Sequence, residues 1–302
     1  MPNWNQVLKE IQTEDARLRN HAVGAVDLVR RKYLKRLYKR TGRPVIAYYS
    51  GWLSNPGLLG ADVNDEDKNA FMMAIHGLEK NRGLDLILHT PGGGIAAAES
   101  IVDYLHRVFG NDIRAIVPHI AMSAGTMLAC ACKSIVLAKH SNLGPIDPQI
   151  NGLPAAAVKK EFERALSEIK ADPVKLQVWQ FVLNKYNPTF IGQCEQAVKW
   201  AEEFVQNRLE VNMFASEPDA QAKAEKVVSA LSDLDVNKSH SRHIHIDDCI
   251  RLGLKVERLE DDQQLQDAVL TVHHCFMHSF SVSGAAKIVE NHMGAAFMKI
   301  PA

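Results

Sequence analysis

LDLILHTPGGGIAAAESIVDYLHRVFGNDIRAIVPHIAMSAGT, residues 84–126, alternates short apolar runs with turns built from small residues. Leu84–His89 is apolar and too short for a helix, so it reads as a buried strand. Thr90-Pro91-Gly92-Gly93-Gly94 breaks it, because proline fixes one φ and the glycines permit positive φ and close backbone approach. Ile101, Val102, Leu105 and Val108 then form the stripe of an amphipathic helix over 95–108. Ile113–Pro118 repeats the strand, and Ala121-Met122-Ser123-Ala124-Gly125-Thr126 opens a second helix. If the strands are neighbours, the two turns face one pocket.

Such a pocket suits acyl transfer. A serine hydroxyl becomes a nucleophile when a base takes its proton, and the resulting oxyanion needs donors already in place, which backbone amides supply. Ser123 is the candidate nucleophile, with donors from the glycine turn and from Ala124 at a helix start. Taken singly, such a serine is more often a helix N-cap and such a turn a plain strand-to-helix loop. No Gly-Lys-Ser/Thr follows the glycines and no GxGxxG is present, which argues against a nucleotide cradle.

HTPGGG followed by AMSAGT resembles the Clp/crotonase-fold serine peptidases, and SNLGPIDPQ resembles the stretch after the nucleophile helix in signal-peptide peptidase A. The pattern continues through KYNPTFIGQCEQAVKW, SHSRHIHIDDCIRLGLKVERLE and QDAVLTVHHCF, and over most of residues 40–300 it is similar to the serine dehydrogenase proteinase (SDH-type) family. The resemblance implies an α/β fold of stacked ββα units in the Clp/crotonase manner. It also implies an oligomer, and a serine endopeptidase acting on peptide or protein substrates through an acyl-enzyme on Ser123. Gly92, Gly93 and Ala124 would form the oxyanion hole, with Gly94 and Asp147 lining the pocket. No cofactor and no metal are expected: His274 and His278 share a helix face, but HExxH and a third ligand are missing.

The base stays open. Clp-type peptidases carry a histidine where this chain has Gly144–Gln149, with Asp147 and no imidazole. By likeness to signal-peptide peptidase A, Lys175 is one choice, at the start of a helix capped by Asp172 with Pro173 in its first turn. His243, with His240 and His245 beside it, is a second, and Lys185 a third. Rival readings are a crotonase-like acyl-CoA enzyme, which needs no serine, and a catalytically silent scaffold.

With 302 residues the chain can bury a substantial core. Lys+Arg and Asp+Glu both number 35, so net charge gives no pull toward nucleic acid or anionic membranes. The five cysteines are odd in number and scattered, which fits reduced thiols in a cytoplasmic protein. Met1–Gln12 lacks the apolar core of a signal peptide, and no run approaches the ~18 apolar residues of a membrane span. Residues 1–40 are expected to form one or two helices, with the basic run Arg30–Arg40 carrying an apolar face of Val29, Tyr33, Leu34, Leu37 and Tyr38. Residues 41–302 are expected to form the main domain. Residues 153–234 read as helices without intervening strands, an insertion serving as lid or subunit interface. Asp65–Lys80 reads as a helix with Phe71, Met72, Ile75 and Leu78 inward, Gly284–His292 as another, and Ala296–Ile300 as a last strand.

Overall fold

The computed structural model describes residues 3–18 and 24–301; the expectations that touch residues 1, 2, 19–23 and 302 lie outside the described residues. Two N-terminal helices, α1 (Trp4–Arg17) and α2 (Ala25–Thr41), precede the strand β1 (Val45–Ser50) and the helix α3 (Glu66–Ile75). The central stretch forms β2 (Leu84–His89), α4 (Ile95–Phe109), β3 (Ile113–Val117), β4 (Ile120–Ala121) and α5 (Ala124–Cys130). β5 (Ser134–Leu137), β6 (Asn142–Leu143), β7 (Gln149–Ile150) and β8 (Leu153–Pro154) follow. Helices then run without a strand: α6 (Ala155–Ala171), α7 (Leu176–Leu183), α8 (Phe190–Arg208), α9 (Ala220–Ser232) and α10 (Leu234–Asn237). The chain closes with β9 (Ile244–His245), α11 (Ile246–Leu252), β10 (Val256–Arg258), α12 (Gln263–Val282), β11 (Lys287–Asn291) and β12 (Ala296–Lys299).

The main sheet has the order β10-β5-β3-β2-β1-β11-β12. Its first five strands are parallel, while β11 and β12 are antiparallel to their neighbours. Side chains alternate across it with period two. Ile46 and Tyr48 of β1 enter a core shared with α3, α4, α5, α8 and α9, whereas Val45, Ala47 and Tyr49 enter one shared with α1, α2 and α12. Helices on both faces explain why β1 and β2 are buried at every position and read as unbroken apolar runs. A small second sheet, β4-β6-β9, lies beyond the C-terminal ends of these strands. This is the α/β architecture expected from the sequence. Among the described residues no helix is long and apolar enough to cross a membrane, and all five cysteines are buried free thiols.

Two local expectations are corrected. Gly284–His292 is not a helix: Lys287–Asn291 is the fully buried strand β11, paired antiparallel with β1. Lys287, Glu290 and Asn291 hid the strand pattern, since each is a polar residue buried by a specific partner. The helix expected over Asp65–Lys80 ends at Ile75, and Met72 is 54% exposed instead of facing inward.

Two buried polar groups shape the stability of this frame. Glu290 is fully buried between Arg30 and Arg31, whose Nε atoms both donate to it, the Arg31 bond at 2.9 Å. Arg30 also donates to Ser279 Oγ at 2.8 Å, so one guanidinium ties α2 to β11 and α12. Below the ends of β2 and β3, the rings of His89, His119 and His273 lie with centroids 5.3–5.7 Å apart. Burial, reinforced by the neighbouring histidines, drives His273 down to about 3 and holds His89 well below the usual range.

Glu290→Ala removes the buried carboxylate shared by Arg30 and Arg31 and leaves Arg30 only the half-buried Asp27, 2.8 Å away; it is expected to cost roughly 3 kcal/mol, read as a lowered urea midpoint with an unchanged slope. The histidines give a pH signature. Native His273 binds fewer protons than the unfolded chain, so its contribution is fully present above about 6.5 and is lost as pH falls toward 3. His273→Phe is therefore expected to flatten the fall in unfolding free energy across that window, measured by urea titration at a series of pH values.

Candidate active site

The two turns of residues 84–126 meet. Thr90, just after β2, forms a parallel bridge with Ala121 of β4. Its amide donates to the Ile120 carbonyl, and its own carbonyl accepts from the Met122 amide, both at 3.1 Å. Strand pairing thus continues past the sheet into the turns themselves. At Gly92 (φ +95) a Cβ would stand 2.6 Å from both Ser123 Cβ and the Met122 carbonyl, so only glycine allows the approach.

Ser123 sits between β4 and α5 with φ 49 and ψ −116. That backbone is strained for an L residue, a cost of about 1–3 kcal/mol that persists only where the surroundings impose it. Although it occupies the N-cap position of α5, its side chain makes no capping bond. The hydroxyl is instead presented, partly exposed, to a cavity of about 640 Å³. Asp62, Pro91, Gly92, Gly93, Gly94, Ile95, Met127, Pro148, Ile150, Trp200 and His240 share that cavity.

The backbone amides around Ser123 differ in what they already hold. The Gly92 N–H donates to Thr90 Oγ1 at 3.2 Å, and the Gly94 N–H to the Val63 carbonyl at 2.8 Å. The Gly125 N–H donates to the Met122 carbonyl at 2.7 Å. Those of Gly93 and Ala124 donate to no partner among the described residues.

His240 Nδ1 lies 2.9 Å from Asp147 Oδ1. An ionised carboxylate only accepts, so the proton belongs on Nδ1 and leaves Nε2 as a free acceptor. Asp147 is 1% exposed, and its loop is held from two sides. The Gly144 amide donates to Thr126 Oγ1 of α5 at 2.9 Å, and the Ile146 amide to the Leu231 carbonyl of α9 at 3.0 Å. The antiparallel pairing of β9 with β6 returns the chain past this loop and so brings the segment before β9, which carries His240, back to it.

The other bases considered from sequence lie elsewhere. Lys175 is exposed, with Nζ 3.4 Å from Glu168 Oε2, in a depression formed by α6 and α7. Lys185 lines a separate hollow with Tyr186 and Phe190. His243 is exposed and does not line the Ser123 cavity. Sequence reasoning named Asp147 only as a lining residue and His240 only as a neighbour of His243. The available signal was one of exchange, with an acid where Clp peptidases carry histidine and a histidine-rich segment near the place of their acid. Among the described residues no group of histidine, cysteine or carboxylate side chains is arranged to hold a metal.

Comparison with known proteins agrees with this architecture. An uncharacterised protein of Methanocaldococcus jannaschii is 30% identical over 236 residues, covering 77% of this chain and 74% of its own. A second uncharacterised protein of that organism is 31% identical over 145 residues, 47% of this chain and 44% of its own. Among solved structures, a variant of the 1510-N membrane-bound stomatin-specific protease aligns over 68% of this chain and 79% of its own at 16% identity, with a TM-score of 0.37. Residues 22–261 match the family described as ClpP-like SDH-type serine proteinase. With that match spanning most of its length, the chain belongs to the ClpP-like SDH-type serine proteinase family.

Proposed function

We propose that this chain is a serine peptidase in which Ser123 is the nucleophile, His240 the general base and Asp147 the group that orients His240. The observation that carries the reading is the shared cavity: Ser123 and His240 both line it, and Nδ1 of His240 rests on a buried carboxylate. His240 Nε2 takes the Ser123 proton as Oγ attacks the substrate carbonyl, and Asp147 stabilises the imidazolium that forms. The negative charge developing on the carbonyl oxygen falls to the Gly93 and Ala124 amides, which donate to no other acceptor among the described residues. The imidazolium then protonates the leaving amine, and water repeats the sequence on the acyl-enzyme. Gly92 serves through its lack of a side chain, since its amide is already engaged.

The cavity wall is mainly apolar, with Ile95, Met127, Ile150 and Trp200, which favours extended peptides with apolar side chains near the scissile bond. Homo-oligomerisation is part of the same reading. Val174, Val178 and Phe181, 67–77% exposed, form an uncovered apolar surface around α7 that a second copy would bury.

Labelling with a fluorophosphonate, followed by mass spectrometry, tests the assignment. Wild-type protein is expected to carry the adduct on Ser123, and Ser123→Ala to carry none. His240→Ala and Asp147→Asn should slow labelling by roughly 10³-fold or more, whereas Lys175→Ala and His243→Ala should label at the wild-type rate. Loss of labelling in Lys175→Ala with retention in His240→Ala would reverse the choice of base.

A further inference from the structure

A buried ion pair lies behind the glycine turn and plays no part in the chemistry described above. Lys287 of β11 is fully buried, and its ammonium donates to Asp67 Oδ1 and to the Asp62 carbonyl, both at 2.6 Å. Asp67, on α3, is also buried, and its second oxygen accepts from Tyr48 Oη at 2.8 Å and from the Asn64 amide at 2.9 Å. The Tyr48 hydroxyl, the Asn64 amide and the Lys287 ammonium all direct protons at the Asp67 carboxylate. The Thr90 side chain acts on the Tyr48 hydroxyl, and Thr90 Oγ1 accepts from the Gly92 amide at 3.2 Å. Thr90 thus stands between this cluster and the turn beside Ser123.

The same carboxylate grips that turn by a second route. Asp62 and Asn64, held by Lys287 and Asp67, flank Val63. The Val63 amide donates to the Gly92 carbonyl at 2.7 Å, and its carbonyl accepts from the Gly94 amide at 2.8 Å. Gly92 and Gly94 are thereby fixed on both sides of Gly93, whose amide donates to no acceptor among the described residues. Burying an ammonium and a carboxylate costs several kcal/mol per ion before their attraction is counted, and apolar residues of similar size often serve stability as well. Packing alone therefore gives no reason for a charged pair at this place.

We propose that Lys287, Asp67 and Tyr48 are positioning residues that aim the Gly93 amide into the Ser123 cavity. None of the three lines the cavity. Their effect passes through Thr90 and Val63, and it should appear in the rate of acyl transfer rather than in substrate affinity. The proposal rests on reading the site as one for acyl transfer, but it also predicts a property of the backbone that needs no activity to measure.

Two variants test it in the full-length protein. Tyr48→Phe removes only the hydroxyl that donates to Asp67 beside Thr90, and Asp67→Asn removes the charge that draws the donors together. Thermal melts establish that each is folded, with Tyr48→Phe serving if Asp67→Asn is not. Hydrogen–deuterium exchange is expected to speed up about tenfold or more in the peptide spanning residues 90–94, with β2 amides unchanged. Fluorophosphonate labelling of Ser123 should slow by roughly 10- to 100-fold. With a p-nitrophenyl ester, kcat should fall while KM changes less than about twofold. Wild-type rates of exchange and labelling in a folded variant would overturn the proposal. A wild-type protein that takes no label sinks the peptidase reading instead, and the exchange rates then decide the relay alone.

Discussion

Two backbone hydrogen bonds at Thr90, one given to Ile120 and one taken from Met122, hold the rest of this molecule to its purpose. They extend parallel pairing beyond the edge of the main sheet, so that two successive strand-to-helix turns are fixed as rigidly as neighbouring strands. That arrangement leaves no room for a side chain at Gly92 and forces Ser123 into a positive φ. The strain at Ser123 is thus imposed by the sheet and requires no local sequence signal beyond small residues on either side. α5 can follow so closely because its seven residues are entirely buried and mostly small.

The proposed catalytic groups come from parts of the chain with different roles. Ser123 and the glycine turn belong to the parallel sheet, Asp147 to a loop held by α5 and α9, and His240 to the segment that returns through β9. The helices from α6 to α10 therefore sit between the acid and the imidazole in sequence while α9 braces the acid in space. Trp200 of α8 also reaches the cavity wall, so these helices share in forming the cleft.

What the sequence revealed follows the range of the signals involved. The stretch 84–126 was legible because each strand, turn and helix there is specified by adjacent residues. Glycine and proline punctuation, short apolar runs and one helical stripe needed no distant partner. The pairing of His240 with Asp147 spans 93 positions, and neither residue has a local pattern that names the other. Lys175 looked attractive for a local reason, a well-capped helix start, and that start is present: Asp172 accepts from the Val174 amide. Its partner turned out to be Glu168, on the neighbouring α6. β11 was misread because three of its five residues are polar, and burial of such groups is explained by Asp67, Arg30, Arg31 and Ala74 in distant segments.

The position of β11 has a consequence for how the protein is made. This strand pairs with β1 across more than two hundred residues and supplies the lysine beneath the glycine turn. A ribosome-bound chain can form β2, β3 and both bends long before Lys287 has been synthesised. Until then the Asp67 carboxylate lacks its cation, and the edge of β1 lies uncovered. Formation of the support beneath the glycine turn therefore waits on β11, a segment made long after the turns that it steadies.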